Sequence, residues 1–269
     1  MAETAQAHGY AFPHTHRDSH GHDNPNLAHH FEDLGQQRSS AALGMWTFLG
    51  TEVMFFGGLI GAYIVYRFTS PDVWAAASRQ LNWKIATANT VVLLTSSLAM
   101  AMAVHAGELG DRRKQVRYLL TTAALGLLFM VFKGVEYKEE YDHHLVPGPN
   151  FRTEHIHLPQ EPNASAGPGL TGESAATRHT ASVLSISSTE FVRRRSQLFF
   201  VFYFFMTGLH LIHMVVGLGL VAWVTRLASR GRFTPEYHTP LEMVGLYWHF
   251  IDIVWLFLYP LLYLVALHK

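Results

Sequence analysis

Six ionisable residues stand inside stretches that are otherwise apolar: Glu52, His210, His213, Glu242, His249 and Asp252. A charged carboxylate surrounded by hydrocarbon is costly unless it is paired or hydrated, so each marks either a proton-exchanging group or a satisfied polar contact. Glu52 sits in the middle of "LGMWTFLGTEVMFFGGLIGAYIVY", about 16 Å along a helix that begins near residue 41. His210, His213 and Gly217 follow one another at i, i+3 and i+7 and share one helical face. Glu242, Gly245, His249, Asp252 and Leu256 trace a stripe on another. His213 and Asp252 reach similar depths, about 18 and 15 Å from one end of their helices. A neutral imidazole donating to a carboxylate would satisfy both groups, so a His213–Asp252 pair is expected.

Those residues are carried by five apolar runs, near 41–67, 85–106, 116–136, 197–225 and 242–267. A bilayer core needs about 20 apolar residues of helix, and a backbone in hydrocarbon satisfies its own polar groups only as a helix or a closed barrel. The fold class is therefore all-α: a polytopic membrane helix bundle of five transmembrane helices. Its organisation reads as a polar, His-rich cytoplasmic tail over 1–40 and a five-helix membrane domain over 41–269, with an external loop over 137–196. Residues 1–40 hold no apolar run of the kind a secretory signal needs. Arg112, Arg113, Lys114 and Arg117 in one short turn, and Arg226, Arg230 and Arg232 in another, place those turns and the N-terminus in the cytoplasm. An odd number of spans leaves the C-terminus outside. Arg193, Arg194 and Arg195 conflict with this, but they end a long loop, where the rule is weak.

Composition narrows the chemistry. The chain has 269 residues with Lys plus Arg equal to Asp plus Glu, so no bulk charge points to nucleic acid. It contains no cysteine, which removes disulfides, thiolate metal sites and covalent c-type haem. The seven histidines of residues 1–40 have incidental metal affinity. Glu136, Glu139, Glu140, His143 and His144 lie just past the third run and read as a solvated acidic helix end rather than a metal cluster. Gly50, Gly57 and Gly61 share a face with Met54, which suits close helix packing. His105, His210, His213 and His249 are candidate axial ligands for a b-type haem, yet no matched pair with flanking glycines emerges.

Four stretches in order resemble subunit III of the haem-copper oxidases, the cytochrome c oxidase type. They are "LGMWTFLGTEVMFFGGL", "ANTVVLLTSS" at 88–97, "TGLHLIHMVVG" at 207–217 and "EMVGLYWHFIDIVWLFLYPLLYL" at 242–264. The resemblance implies a non-redox subunit with no cofactor of its own that packs on subunit I of a proton-pumping terminal oxidase, which reduces O₂ to water at the end of aerobic electron transport. It implies haem and copper in the partner subunits, contacts with subunit II and other respiratory subunits, support of proton uptake and turnover stability, and bound phospholipid. By position Glu52 matches the family's reactive intramembrane glutamate. His210, His213, Glu242, His249 and Asp252 match its buried polar positions, and Arg226 and Arg230 its lipid-headgroup residues. No catalytic residue and no metal ligand is implied. The location implied is a bacterial plasma membrane. Longer members carry two further N-terminal helices that wall a lipid cleft; here a polar tail stands in their place. Two other readings remain: an autonomous membrane b-type cytochrome, and a proton-coupled transporter using Glu52 and Asp252.

Overall fold

The computed structural model describes residues 27, 30–148, 151 and 175–264, with backbone alone for 175–189. The His-rich segment before residue 27 lies outside the described residues. Among the described residues six helices follow one another: α1 (Leu34–Thr69), α2 (Pro71–Ser78), α3 (Trp83–Glu108), α4 (Arg112–Asp142), α5 (Ala175–Ser229) and α6 (Thr239–Tyr263). Five are long and apolar enough to span a bilayer: α1, α3, α4, residues 190–229 of α5, and α6. The chain is thus an all-α polytopic membrane bundle, as the five apolar runs require. Helix bounds exceed those runs because hydropathy marks only the part of a helix that hydrocarbon can hold. α1 begins at Leu34, where Asp33 accepts from the Gln36 amide at 2.6 Å and Gln36 reaches back to the Glu32 amide at 2.8 Å.

The segment 68–84 reads as a loop in sequence but contains α2. Pro71 starts this short helix at a position where its missing N–H costs nothing. Val73 through Ser78 are all buried. The Trp74 ring meets Tyr63 edge to face with centroids 4.7 Å apart. Tyr63 and Ser78 donate to the carbonyls of Leu261 and Leu262 at 2.6 and 2.7 Å, which ties this corner to the end of α6.

α3 and α4 form a hairpin turned by Gly110, whose φ of +70° favours glycine. Asp111 caps α4, accepting from the Lys114 amide at 3.1 Å. That amide first, and the Lys114 side chain next, hold the exposed Asp111 carboxyl below its ordinary value. α6 touches α1, α3 and α5. Trp248 of α6 is fully buried and enters a notch cut by two glycines. A Cβ on Gly126 would lie 2.8 Å from the Trp248 ring, and one on Gly217 3.2 Å from it. Small residues let the helices approach closely where the hydrophobic effect offers them no drive to associate.

α1 is attached differently. Only Leu49, Phe56 and Tyr63 of its 36 residues are buried, and they recur every seventh position. That spacing makes a narrow seam along α6 and α5. The glycine face of α1 does not meet its own bundle: Gly50, Gly57 and Gly61 have open space where a side chain would project.

Candidate functional site

Glu52 of α1 meets His213 of α5, with Oε2 and Nε2 3.2 Å apart. The other ring nitrogen of His213 lies 2.9 Å from the Leu209 carbonyl. A carbonyl only accepts, so Nδ1 carries a proton. The contact to Glu52 then holds one proton, carried either by the carboxyl or by Nε2. Phe56 stacks edge to face on His213 at 5.4 Å, and the Tyr247 hydroxyl donates to the His213 carbonyl. The Glu52 and His213 side chains remain 20% and 16% exposed, so the pair is sheltered on one side and open on the other.

This replaces the expected His213–Asp252 pair. Both ring nitrogens of His213 are engaged elsewhere, and neither Asp252 oxygen has a hydrogen-bond partner among the described residues. Ser97, on α3 near Asp252, stands 2.7 Å from His249 Nδ1. Similar depth was a sound inference; azimuth decides the partner, and α1 supplies a third group that sequence depth did not rank against Asp252. His210 is buried between the rings of Phe129 and Trp255, with centroids 5.7 and 5.2 Å away. Of the four candidate haem histidines, three have polar side-chain neighbours and the fourth is packed between aromatic rings.

Glu242 lies at the other end of α6. Arg38 reaches it from α1 at 2.6 Å and His238 at 3.1 Å. Glu108, His238 and Glu242 bring one ligand atom each within 4.8 Å of one another. A groove of about 470 Å³ runs past Arg38, His105, Glu108, Glu242 and His249. It shares Leu246 and His249 with an almost wholly apolar groove of about 500 Å³ between α1 and α6, lined by Trp46, Val53, Phe56 and Phe257 among others. The first groove carries charged residues at the helix ends, and the second is apolar within the span. Arg226 and Arg230 line neither groove; they lie at the C-terminal end of α5.

Sequence reasoning overlooked the largest buried polar cluster. Lys133 of α4 is fully buried and bonds Glu136 at 3.0 Å, Tyr203 at 3.2 Å and Tyr263 at 2.9 Å. The rings of Tyr137, Tyr203, Trp255 and Tyr263 surround its ammonium, with centroids 5.2 to 5.6 Å away. The acidic end of α4 is therefore not simply solvated: Glu136 and Glu140 are 2% and 4% exposed. The signal was a lone lysine inside the third run, three residues before a glutamate.

The sequence profile of cytochrome c oxidase subunit III matches residues 29–142 and 183–267. The chain belongs to the cytochrome c oxidase subunit III family. The unmatched residues 143–182 cover the connection between α4 and α5 and the start of α5. Cytochrome c oxidase subunit 3 of Corynebacterium diphtheriae is 30% identical over 83% of this chain and 87% of its own length. That of Thermostichus vulcanus is 25% identical over the same shares. As a subunit III, the chain is a multi-pass membrane component of a haem-copper oxidase of the respiratory chain, an oxidoreductase complex with other subunits.

Proposed function

We propose that this subunit III packs on subunit I, carries no electrons itself, and keeps proton delivery to the catalytic subunit fast during turnover. The observation that carries this reading is the Glu52–His213 contact. A carboxyl and an imidazole sharing one proton take up or release it with little rearrangement, because Leu209 holds the ring in one orientation. Their partial exposure, on a helix whose glycine face is open, suits a position against a neighbouring subunit. His210, His249 and Asp252 then serve as buried polar positions of the bundle rather than redox ligands, and haem and copper belong to the partner subunits.

The paired grooves between α1, α3 and α6 support phospholipid binding, with Arg38 and Glu242 at headgroup level. Arg226 and Arg230 add positive charge at the same end of the bundle and favour anionic lipid there. The reading places that end, with the N-terminus, in the cytoplasm of a bacterial plasma membrane and the C-terminus outside. Subunit II and other respiratory subunits complete the assembly.

The test is the purified oxidase carrying Glu52→Ala. Haem and copper content should match the unaltered complex, while proton uptake slows or the enzyme inactivates after fewer turnovers. Unchanged proton uptake and lifetime in a fully assembled variant would remove Glu52 from the mechanism.

A further inference from the structure

Three carboxylates crowd the last turns of α4: Glu136, Glu139 and Glu140. The helix C-terminus already carries partial negative charge, and its last turn holds no basic residue. Lys133 is the cation within reach, and it is spent. An ammonium has three protons, and all three are directed to Glu136, Tyr203 and Tyr263. The two tyrosine hydroxyls in turn donate to Glu136 Oε1. The hydrogen bonds of the cluster converge on Glu136; Lys133 and the Tyr203 hydroxyl stand close enough to act on Glu140 electrostatically, but neither reaches it as a hydrogen-bond partner. The Glu140 side chain is 4% exposed, yet neither oxygen has a hydrogen-bond partner among the described residues. A buried carboxylate left in that state is strongly unfavourable.

Glu140 lines a cavity of about 210 Å³ together with Gln80, Asn82, Glu136, Glu139 and His143. Six of its seven lining residues are polar, and five of them carry side-chain oxygen. Lys133 is paired with Glu136, so a cation entering the cavity would be matched by the carboxyl groups of Glu139 and Glu140. We infer that this cavity binds a hydrated hard divalent cation of the Mg²⁺ class, with the Glu140 carboxylate as its anchor. Hard cations choose carboxylate and carboxamide oxygens over nitrogen, and Mg²⁺ commonly keeps several waters while taking one or two carboxylates. The volume accommodates such a shell, since each water occupies about 30 Å³. Retained waters also fit the ligand geometry. Among the described residues the tight cluster of His and carboxylate ligand atoms is the one at Glu108, not this one, so the cation is bridged here rather than caged. The inference concerns this chain's own side chains and does not depend on the proton-delivery role.

The experiment titrates Mn²⁺, a paramagnetic stand-in for Mg²⁺, into the chelator-treated purified complex and follows the free Mn²⁺ signal by electron paramagnetic resonance. The unaltered complex should bind one Mn²⁺ more per copy of this chain than Glu140→Gln, and Mg²⁺ should displace that ion. Sites on other subunits cancel in the comparison. Should Glu140→Gln fail to assemble, Glu140→Asp retains the charge on a shorter arm and should weaken the site about tenfold, or 1.4 kcal/mol. Equal Mn²⁺ number and affinity in the unaltered complex and in either variant overturns the proposal. The haem spectrum of each preparation reports oxidase assembly separately.

Discussion

Glu52 Oε2 and His213 Nε2 face each other 3.2 Å apart across the α1–α5 boundary, and the ring's other nitrogen is fixed on a backbone carbonyl. One proton therefore belongs to two residues. Glu52→Gln keeps a donor for Nε2 but removes the exchangeable site. We expect Glu52→Gln to assemble and purify like the unaltered complex while reproducing the slowed proton uptake of Glu52→Ala. If Glu52→Gln instead behaves as the unaltered enzyme, the contact is only structural.

The Lys133–Glu136 pair calls for a double-mutant cycle. Lys133→Met strands Glu136 at 2% exposure and should cost about 3–5 kcal/mol. Lys133→Met combined with Glu136→Gln should recover a substantial part of that loss, because position 136 no longer leaves an unpaired buried charge. Chemical denaturation in detergent, with oxidase assembly scored alongside, checks both. Additive losses would mean that the two side chains do not act as a pair.

Two glycine substitutions should behave oppositely. Gly126→Ala drives a methyl to 2.8 Å from the Trp248 ring and should destabilise the bundle by about 1–3 kcal/mol. Gly57→Ala places its methyl where nothing in its own chain lies within 4 Å. It should leave thermal unfolding of the isolated subunit unchanged and weaken its retention in the oxidase, read by subunit content after detergent washing.

Asp111 gives a pH signature. Its carboxyl is held below the ordinary value by the Lys114 amide and then by the Lys114 side chain, so the cap stabilises the fold at pH values above the unfolded-state value. That contribution fades as pH falls through the lowered native value. Asp111→Ala should therefore lower the unfolding temperature near neutrality, and the gap to the unaltered chain should narrow in acid. A gap that stays constant with pH would show that the ionised carboxylate contributes nothing.

The five spans were legible because hydrocarbon imposes a minimum length of apolar residues, a constraint written directly into composition. The site was legible as a set of depths but not as a set of neighbours. Glu52, His213 and Asp252 all lie at similar depth, so rise along the helix could not choose between Asp252 and Glu52 for His213. That choice depends on helix rotation, set here by the seam at Leu49, Phe56 and Tyr63. Lys133 escaped notice because one cation among some twenty apolar residues scarcely lowers a mean hydropathy, while its tyrosine partners lie about 70 and 130 residues away in sequence. α2 was unreadable for another reason. Eight residues are too few for a periodic pattern to register, and burial of Trp74 against Tyr63 and Phe199, rather than propensity, makes it a helix.

The thin heptad contact of α1 has a mechanical consequence. A rod glued along one edge resists sliding but yields to swinging, as a door does on its hinge line. The Glu52–His213 contact sits halfway along that edge, in the position of a latch, and the groove between α1 and α6 is the doorway. Breaking that contact would leave the middle of α1 held by the apolar seam alone.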